Sequence, residues 1–314
     1  MKRLLAAFAR FEERRIFLIL LAVWVIMSIA YPREFLNAAV LKATILAMSS
    51  IAVIVVGMTV LLVSGGFDLS VGSIVTLTGI VAALMIKNGA PWFVAMLAAV
   101  LCGAVVGFGN GLMIARLRIN PFITTLGMMI FARGLATIFA GGNNIPILDD
   151  SYNWIGQASI AGVQLPIWIC IIFVAAGDFL LRKSRYFRQN YYIGGNENAA
   201  LLSGIPVARV KIINYILSGA LAAVAGILLS ARLGNGSLTL GINMEFKVIT
   251  AAIIGGCALS GGKGTVLGAF FGAMLMASID SAINIMPVDS YWQELVTGVV
   301  LIIAIIIDSI GKKD

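Results

Sequence analysis

Histidine is absent from the 314-residue sequence, and charged side chains are scarce. Without histidine the chain lacks the commonest metal ligand and the side chain most suited to proton transfer near neutral pH. Charged residues make up 11% of the sequence, about half the fraction found in a soluble domain. Hydrophobic residues make up 61%, which is incompatible with intrinsic disorder. The composition therefore excludes a soluble globular protein and a disordered chain, and leaves a polytopic membrane protein.

Cysteines are few and scattered, since Cys102, Cys170 and Cys257 each lie in a separate apolar run. None belongs to a CxxC pair, so we predict small buried hydrophobes and neither a disulfide framework nor a metal site. No nucleophile beside a base and no catalytic carboxylate pair occurs, so neither a catalytic site nor a cofactor is predicted. The net charge of +8 is a topology signal in a membrane protein, and no nucleic-acid partner is predicted.

Long apolar runs predict an all-α protein with many spans. A helix needs about 20 apolar residues to cross the hydrocarbon of a bilayer, where every backbone amide must be hydrogen-bonded internally. Ten such segments occur, and the third and eighth are short and adjoin glycine-rich breaks. The predicted segments are 16–31, 43–64, 70–86, 92–115, 121–141, 165–182, 212–230, 248–262, 264–285 and 291–310.

Lysine and arginine predict the orientation of this single transmembrane domain, residues 16–310. They cluster in the N-terminal segment 1–15, in the loop 183–211 and in the tail 311–314, whereas the connection 142–164 has none. Because cytoplasmic segments carry the basic residues, both termini and the loop 183–211 are predicted to be cytoplasmic. Ten spans satisfy this arrangement, and an odd number does not. The N-terminal segment has no cleavage site, so the first apolar run is predicted to be a retained anchor.

Glycine recurs in two helical series and in one repeated pattern. It occurs every fourth residue over 103–111 and over 264–272, a spacing that predicts close packing of helices. The pattern GGxxLSxG occurs at 65–72 and again at 255–262. Two interpretations fit this repeat equally well: broken-helix elements beside a water-filled pathway, or two unrelated turns between spans. Residues 257–264 are also close to a phosphate-binding loop, but they lack its first Gly and its final Ser or Thr, so no ATP site is predicted.

A short, well-capped helix is predicted inside the loop 183–211. Asn196 suits the N-cap, and a Glu in the first turn favours the positive end of the helix. Gly204 suits the left-handed position after a helix, and Pro206 stops the helix. The basic flanks would allow this helix to lie on membrane lipid, but its compactness and capping favour a knob that docks into a groove of a cytosolic partner. The residues predicted to carry the docking are Asn196, Glu197, Ala199, Ala200, Leu202 and Gly204.

Ionisable side chains within or beside the spans are costly to place in a membrane, which makes them candidates for function. Asp68 is predicted to cap the helix that follows it or to lock its own loop, and Arg133 must face a cavity or a partner. Asp178 and Arg182 are four residues apart and can form a pair on one helix face. The candidates for the pathway or its gates are Asp68, Ser70, Arg133, Glu245 and Asp280.

Three motifs follow one another along the chain. They are GMT at 57–59 with GGFDLSVGS at 65–73, GGNENAA at 194–200, and GGCALSGGKG at 255–264. In this order they resemble the signatures of the ribose-type permeases, the membrane subunits of bacterial ATP-binding-cassette monosaccharide importers. The likeness covers residues 55–310, nearly the whole chain.

The resemblance implies a function and a set of partners. Two permease subunits, as a homodimer or a heterodimer, would form a pathway in the bacterial inner membrane. Two cytosolic ATPase subunits or domains would power it, and a periplasmic or lipid-anchored binding protein would deliver a monosaccharide or related polyol. The helix at 196–204 would be the coupling element that fits the ATPase, in agreement with the docking knob predicted from its caps.

The chain departs from the family pattern at three places. Phe67 stands where the family usually has Ile, Lys247 stands where it usually has Asp, and Asp280-Ser281 replaces a usual pair of asparagines. Such departures suit a less common pentose, hexose or polyol, or one half of a heteromeric pair.

Three other functions compete with this interpretation. A branched-chain amino-acid or nucleoside permease of the same superfamily is the nearest, and the complete GGFDLSVGS signature at 65–73 favours a sugar over it. A secondary carrier would need no ATPase but would require a buried proton relay of acidic or histidine side chains, which the sequence lacks. An intramembrane enzyme would want a catalytic constellation, and none is found in the sequence.

Overall fold

The computed structural model describes residues 13–286, 289 and 291–310. This part of the chain is almost entirely helical, with four two-residue strands in two antiparallel pairs, β1 with β4 and β2 with β3. The predicted tail 311–314, and all but the last three residues of the predicted segment 1–15, lie outside the described residues. The elements are α1 (Arg14–Ala30), α2 (Pro32–Phe35), α3 (Ala38–Val63), α4 (Val71–Lys87), α5 (Trp92–Ala115), α6 (Pro121–Ala140), β1 (Ile145–Pro146), α7 (Asp150–Gln157), β2 (Ser159–Ile160), β3 (Val163–Gln164), α8 (Leu165–Lys183), α9 (Arg185–Gly195), α10 (Glu197–Leu202), α11 (Val207–Leu233), β4 (Asn235–Gly236), α12 (Met244–Ile254), α13 (Val266–Ile285) and α14 (Tyr291–Ile310).

Each of the ten predicted segments overlaps one helix, so the prediction of an all-α chain is confirmed. Within the described residues six helices are long and apolar enough to cross a membrane, namely α3, α5, α6, α8, α11 and α13. The helix α4 and the stretch Tyr291–Ile306 of α14 are apolar but shorter. The count of ten crossings and the side of each terminus remain predictions.

Two parts of the chain differ from the helices expected from the sequence. The predicted segment 248–262 is wrong in its second half, because α12 ends at Ile254. Beyond it Gly256, Gly261 and Gly262 have φ of +100°, +89° and +78°, a left-handed backbone that cannot continue an α-helix. The helix α9 was not predicted, because its polar and aromatic sequence contains no apolar run.

The core is built around α3, in which 89% of the most apolar stretch is buried. The long helix α11 packs against α5, α3 and α4. A Cβ added to Gly107 or Gly111 of α5 would come within 2.8 Å of the α11 backbone, so the close packing predicted for 103–111 is confirmed. In the second series Gly272 faces the Ala251 carbonyl of α12, and Gly268 faces the Gly255 carbonyl directly after α12, but Gly264 precedes α13 and is not helical.

The outer faces of the bundle carry large apolar side chains. Ile29 on α1, Val105 on α5, Ile130 on α6 and Phe179 on α8 are all more than half exposed. Exposed apolar surface on several helices at once is what a lipid-embedded bundle presents. Functional polar groups are therefore expected between the helices and at their two ends.

Candidate functional site

The two copies of the GGxxLSxG pattern meet where α3 and α12 end. The backbone N–H of Gly262 donates to the carbonyl of Val63 over 2.9 Å. A Cβ added to Gly261 would lie 2.8 Å from the Cα of Gly194 and 3.0 Å from the Cα of Gly65. We call this meeting of Gly65, Gly194, Gly261 and Gly262 the glycine junction. Because the two copies touch each other and α9, the structure favours linked broken-helix elements over two unrelated turns.

Asp68 locks the loop that follows the first copy. Its Oδ1 accepts hydrogen bonds from the backbone N–H of Ser70 over 2.8 Å and from the Ser70 hydroxyl over 2.5 Å. The Asn110 amide on α5 donates to the Ser70 hydroxyl over 2.9 Å. The N-cap of α4 is Ser70, and no side chain caps that helix, so of the two roles predicted for Asp68 the loop lock is the one observed. Asp68 and Ser70 are fully buried, and neither meets solute in this conformation.

Replacing Asp68 by alanine is expected to destabilise the solubilised protein by about 1–3 kcal/mol, because the backbone N–H and the hydroxyl of Ser70 would lose a buried acceptor. The Asp68→Asn variant keeps one acceptor oxygen, so its free energy of unfolding should lie between those of the native chain and Asp68→Ala. The measurement is the thermal unfolding midpoint in detergent. Asp150→Ala is the matched control, since Asp150 is exposed. Equal midpoints for Asp68→Ala and Asp150→Ala would contradict the lock.

A second buried group lies at the first turn of α4. The Arg133 Nε on α6 donates to the Ser73 hydroxyl over 3.2 Å, and Arg133 attracts the Glu245 carboxylate electrostatically. Glu245 is 3% exposed, and its Oε2 lies directly over Gly72, where a Cβ would collide with it. Among the described residues this Oε2 has no hydrogen-bond partner. A buried, incompletely paired carboxylate beside an arginine is a costly arrangement that stability alone does not favour.

Asp280 lies away from this group and pairs with another charge. The Lys247 ammonium on α12 lies 2.6 Å from the Asp280 carboxylate on α13. Lys247 also lines a cavity of about 610 Å³ between α12 and α14, together with Asn243 and Glu294. Two of the residues that depart from the family pattern, Lys247 and Asp280, therefore contact each other.

The predicted short helix is present as α10, and its predicted caps are confirmed. The Asn196 side chain accepts a hydrogen bond from the backbone N–H of Ala199 over 3.0 Å, and Gly204 has φ of +81°. Glu197 forms an ion pair with Lys211 of α11 over 2.6 Å, a contact that the sequence analysis did not predict.

The two faces of α10 differ. Ala200 is buried against Ile193 of α9 and against Val207 and Val210 of α11. Leu202 points away from the bundle and is 91% exposed. The helix is thus anchored on one side and presents an apolar side chain on the other.

The helix α9 connects α10 to the glycine junction. It ends at Gly195, one residue before the N-cap of α10, and its Gly194 is part of the junction. The Tyr191 hydroxyl donates to the Gly264 carbonyl over 2.8 Å. On the other side the Asn214 amide of α11 donates to Asn190 over 2.8 Å. Hydrogen bonds therefore join α9 both to the segment that follows the junction and to α11.

The end of α8 carries a further charged network. Asp178 and Arg182 form the predicted pair, with 2.7 Å between Oδ2 and Nε. Arg182 also pairs with Glu13, and Glu13 accepts a hydrogen bond from Thr265 over 2.7 Å. Asp178 accepts the backbone N–H of Leu267 over 3.0 Å. This network fixes the start of α13 beside the glycine junction.

The structure thus brings four of the five pathway candidates together around the first turn of α4 and leaves Asp280 apart from them. The contact of Asn110 with Ser70 and the pairing of Lys247 with Asp280 were not predicted from the sequence. A lone amide within an apolar span was the available signal for Asn110. For Lys247 the signal was a charged residue at a position where the family usually has the opposite charge.

Comparisons with known proteins agree with these observations. Residues 40–305 match a family described as "Branched-chain amino acid transport system / permease component". The ribose import permease protein RbsC of Escherichia coli K12 is 38% identical over 82% of this chain and 82% of its own length. The L-arabinose ABC transporter permease protein AraH of Azospirillum brasilense is 35% identical over 95% and 88%. The comparison with solved structures gave no match. The resemblance found in the motifs is therefore confirmed, and the chain is similar to sugar permeases.

Proposed function

Because the chain belongs to the branched-chain amino acid transport system / permease component family, we propose that it is the membrane-spanning permease subunit of an ATP-binding-cassette importer in the bacterial inner membrane. The cargo we propose is a monosaccharide or related polyol. Relatives named for ribose and L-arabinose support a sugar. The family description names branched-chain amino acids, so a permease for such an amino acid, or for a nucleoside, is the competing function.

The capped helix α10 carries this proposal. It is anchored through Ala200, and Leu202 is left exposed. A cavity of about 660 Å³ beside it is lined by Arg116, Arg118 and Arg209. An apolar knob next to a basic cavity suits a cytosolic ATPase subunit that offers an apolar groove flanked by acidic groups. Asn196, Glu197, Ala199, Ala200, Leu202 and Gly204 are the residues that we propose for this coupling.

The work done by the ATPase would reach the membrane through α9. Closure of two ATPase subunits on ATP would push on α10, and α9 would transmit the push to the glycine junction. There the breaks between α3 and α4 and between α12 and α13 meet, so a small displacement can tilt two helix pairs at once. Rigid-body rocking of one helix bundle against another around a fixed site is a known route to alternating access. The binding protein would dock on the outer side, and a second permease subunit, identical or related, would complete the pathway.

The predicted pathway residues take two roles in this proposal. Asp68 and Ser70 would hold the loop before α4 and move with the junction. Arg133 and Glu245 would form a gate at the first turn of α4, since Arg133 donates to Ser73 and the Glu245 carboxylate lies over Gly72. Asp280 would act separately, through its ion pair with Lys247.

Copurification tests the proposal with a matched pair of variants. Leu202 and Leu148 are 91% and 90% exposed, and only Leu202 belongs to α10. We expect the native chain and Leu148→Asp to copurify with a cytosolic ATPase subunit after mild solubilisation, and Leu202→Asp to lose it. Copurification of the ATPase with Leu202→Asp, at the level of the control, would contradict the proposed docking.

The class of cargo is tested with the binding protein that copurifies or is encoded beside this chain. Its thermal midpoint should rise with at least one neutral sugar or polyol, because a ligand that binds only the folded state stabilises it. A rise with leucine or a nucleoside, and with no sugar, would favour the competing function.

A further inference from the structure

A polar cavity lies between α12 and α14, next to the first turn of each helix. Its volume is about 610 Å³, and its polar lining comes from Asn243, Lys247, Gln293, Glu294 and Thr297. Cavities that bind small molecules are typically of this size, with a few polar groups that fix the orientation of the ligand. The remaining wall is apolar and includes Phe246.

The charges of the cavity are held in place by partners on neighbouring helices. Lys247 and Asp280 are paired over 2.6 Å, and their side chains are 22% and 19% exposed. The Asp280 Oδ1 is buried and has no hydrogen-bond partner among the described residues. On the opposite wall the Asn243 amide donates to the Glu294 carboxylate over 2.9 Å. Asp280 lies outside the lining and holds Lys247 in place, while Asn243 holds Glu294 across the cavity.

The opposite face of α14 is apolar. Leu295, Val299, Ile303 and Ile306 are each about half exposed, and none of them lines the cavity. Ionisable groups inside a membrane face a water-filled cavity or the bundle interior, because their transfer to lipid is costly. The apolar face of α14 therefore belongs to lipid, and the face that carries Gln293 and Thr297 belongs to water.

We propose that this cavity is a water-filled binding site for the hydroxyl groups of a neutral monosaccharide or polyol on the route of transport. The assignment rests on the proposed function for the direction of transport, but the site itself is defined by the cavity. Sugar hydroxyls both donate and accept hydrogen bonds, and the lining offers them an ammonium, one carboxylate, two amides and a threonine hydroxyl. The lining carries one cation, Lys247, and one anion, Glu294, so it offers no excess positive charge to an anionic solute such as a sugar acid.

The water-filled state is tested by cysteine labelling in membranes, in a background without the three native cysteines. Gly298 lines the cavity, and a Cβ there would meet no atom within 4 Å, so a thiol can be placed without a clash. Val299 is the adjacent control on the lipid face. A cationic, membrane-impermeant thiosulfonate should modify Gly298→Cys about tenfold or more faster than Val299→Cys, because the reaction needs a solvated thiolate. Equal rates, or an unreactive Gly298→Cys, would show a cavity closed by lipid or by a second subunit and would overturn the proposal.

The class of ligand is tested by protection of the same thiol. Neutral pentoses, hexoses and polyols, leucine, glutamate and sugar acids are each added at high concentration to Gly298→Cys membranes. At least one neutral sugar or polyol should slow the labelling, and the amino and sugar acids should not. Adding Lys247→Met should remove the protection, whereas adding Lys42→Met, an exposed lysine outside the cavity, should leave it. Protection by leucine, by none of the solutes, or unchanged by Lys247→Met would overturn the assignment.

These results separate the site from the proposed function. Labelling and protection need only the chain in a membrane, whereas the copurification experiment needs the ATPase. A protected cavity in a chain that captures no ATPase would keep the sugar site and remove the importer. A chain that captures the ATPase but shows no protection would keep the importer and remove the sugar site.

Discussion

Replacing Ala200 by proline is expected to abolish uptake while leaving the protein in the membrane at its normal level. Ala200 donates its backbone N–H to the Asn196 carbonyl over 3.0 Å, and proline has no N–H to donate. A proline inside a helix costs about 3 kcal/mol or more. At 1.4 kcal/mol for each factor of ten, this is roughly a hundredfold loss of the docking-competent helix.

The measurement is uptake of labelled sugar by cells that contain the complete importer, with the membrane level of the chain determined by immunoblot. Asn198→Ala is the control in the same helix, because it changes an exposed side chain and leaves every backbone hydrogen bond in place. It should keep most of the uptake. Bulky residues at Glu197 or Gly204 should behave like Ala200→Pro, since they act on the ion pair with Lys211 and on a left-handed backbone. Normal uptake by Ala200→Pro would show that α10 is not the coupling element.

Adding one methyl group at Gly194 is expected to reduce uptake strongly, although the residue lies outside every cavity described above. A Cβ at Gly194 would lie 2.5 Å from the backbone nitrogen of Gly262 and would overlap the carbonyl of Val63. Backbone atoms cannot move aside as a flexible side chain can, so the junction must open. Overpacking of this kind costs about 1–3 kcal/mol, which at 1.4 kcal/mol for each factor of ten is a roughly five- to 140-fold loss of the closed junction.

The neighbouring glycine provides the control. A Cβ at Gly195 would meet no atom within 4 Å, so Gly195→Ala should leave both uptake and the thermal midpoint close to those of the native chain. Gly194→Ala should lower the midpoint and uncouple ATP hydrolysis from transport. If the two variants behave alike, the glycine junction does not transmit the movement of α10.

Local signals explain why some features could be predicted from the sequence. The caps of α10 lie within nine residues of each other, and the Asn196 and Gly204 conformations depend on those residues alone. The apolar runs locate most spans, because burial of the backbone in lipid demands them. The repeated GGxxLSxG pattern indicated two breaks between helices, because glycine permits the backbone conformation that a break requires.

Contacts between distant segments could not be predicted in this way. Lys247 and Asp280 are 33 residues apart on different helices, and their pairing depends on how α12 and α13 cross. The glycine junction joins Gly65, Gly194 and Gly261, and nothing local to any one of them indicates the other two. The predicted span 248–262 is too long for a related reason. Its residues are apolar, but hydropathy carries no information about the left-handed φ of Gly256.

Transport in reconstituted vesicles tests most directly whether the chain is a passive conduit driven by partner subunits. The purified chain is placed in proteoliposomes alone, and in parallel with its ATPase subunit, its binding protein and enclosed ATP. We expect labelled sugar to accumulate only in the complete system, and to stop accumulating when ATP is replaced by a non-hydrolysable analogue. Accumulation by the chain alone, driven by a proton or sodium gradient, would instead establish a secondary carrier.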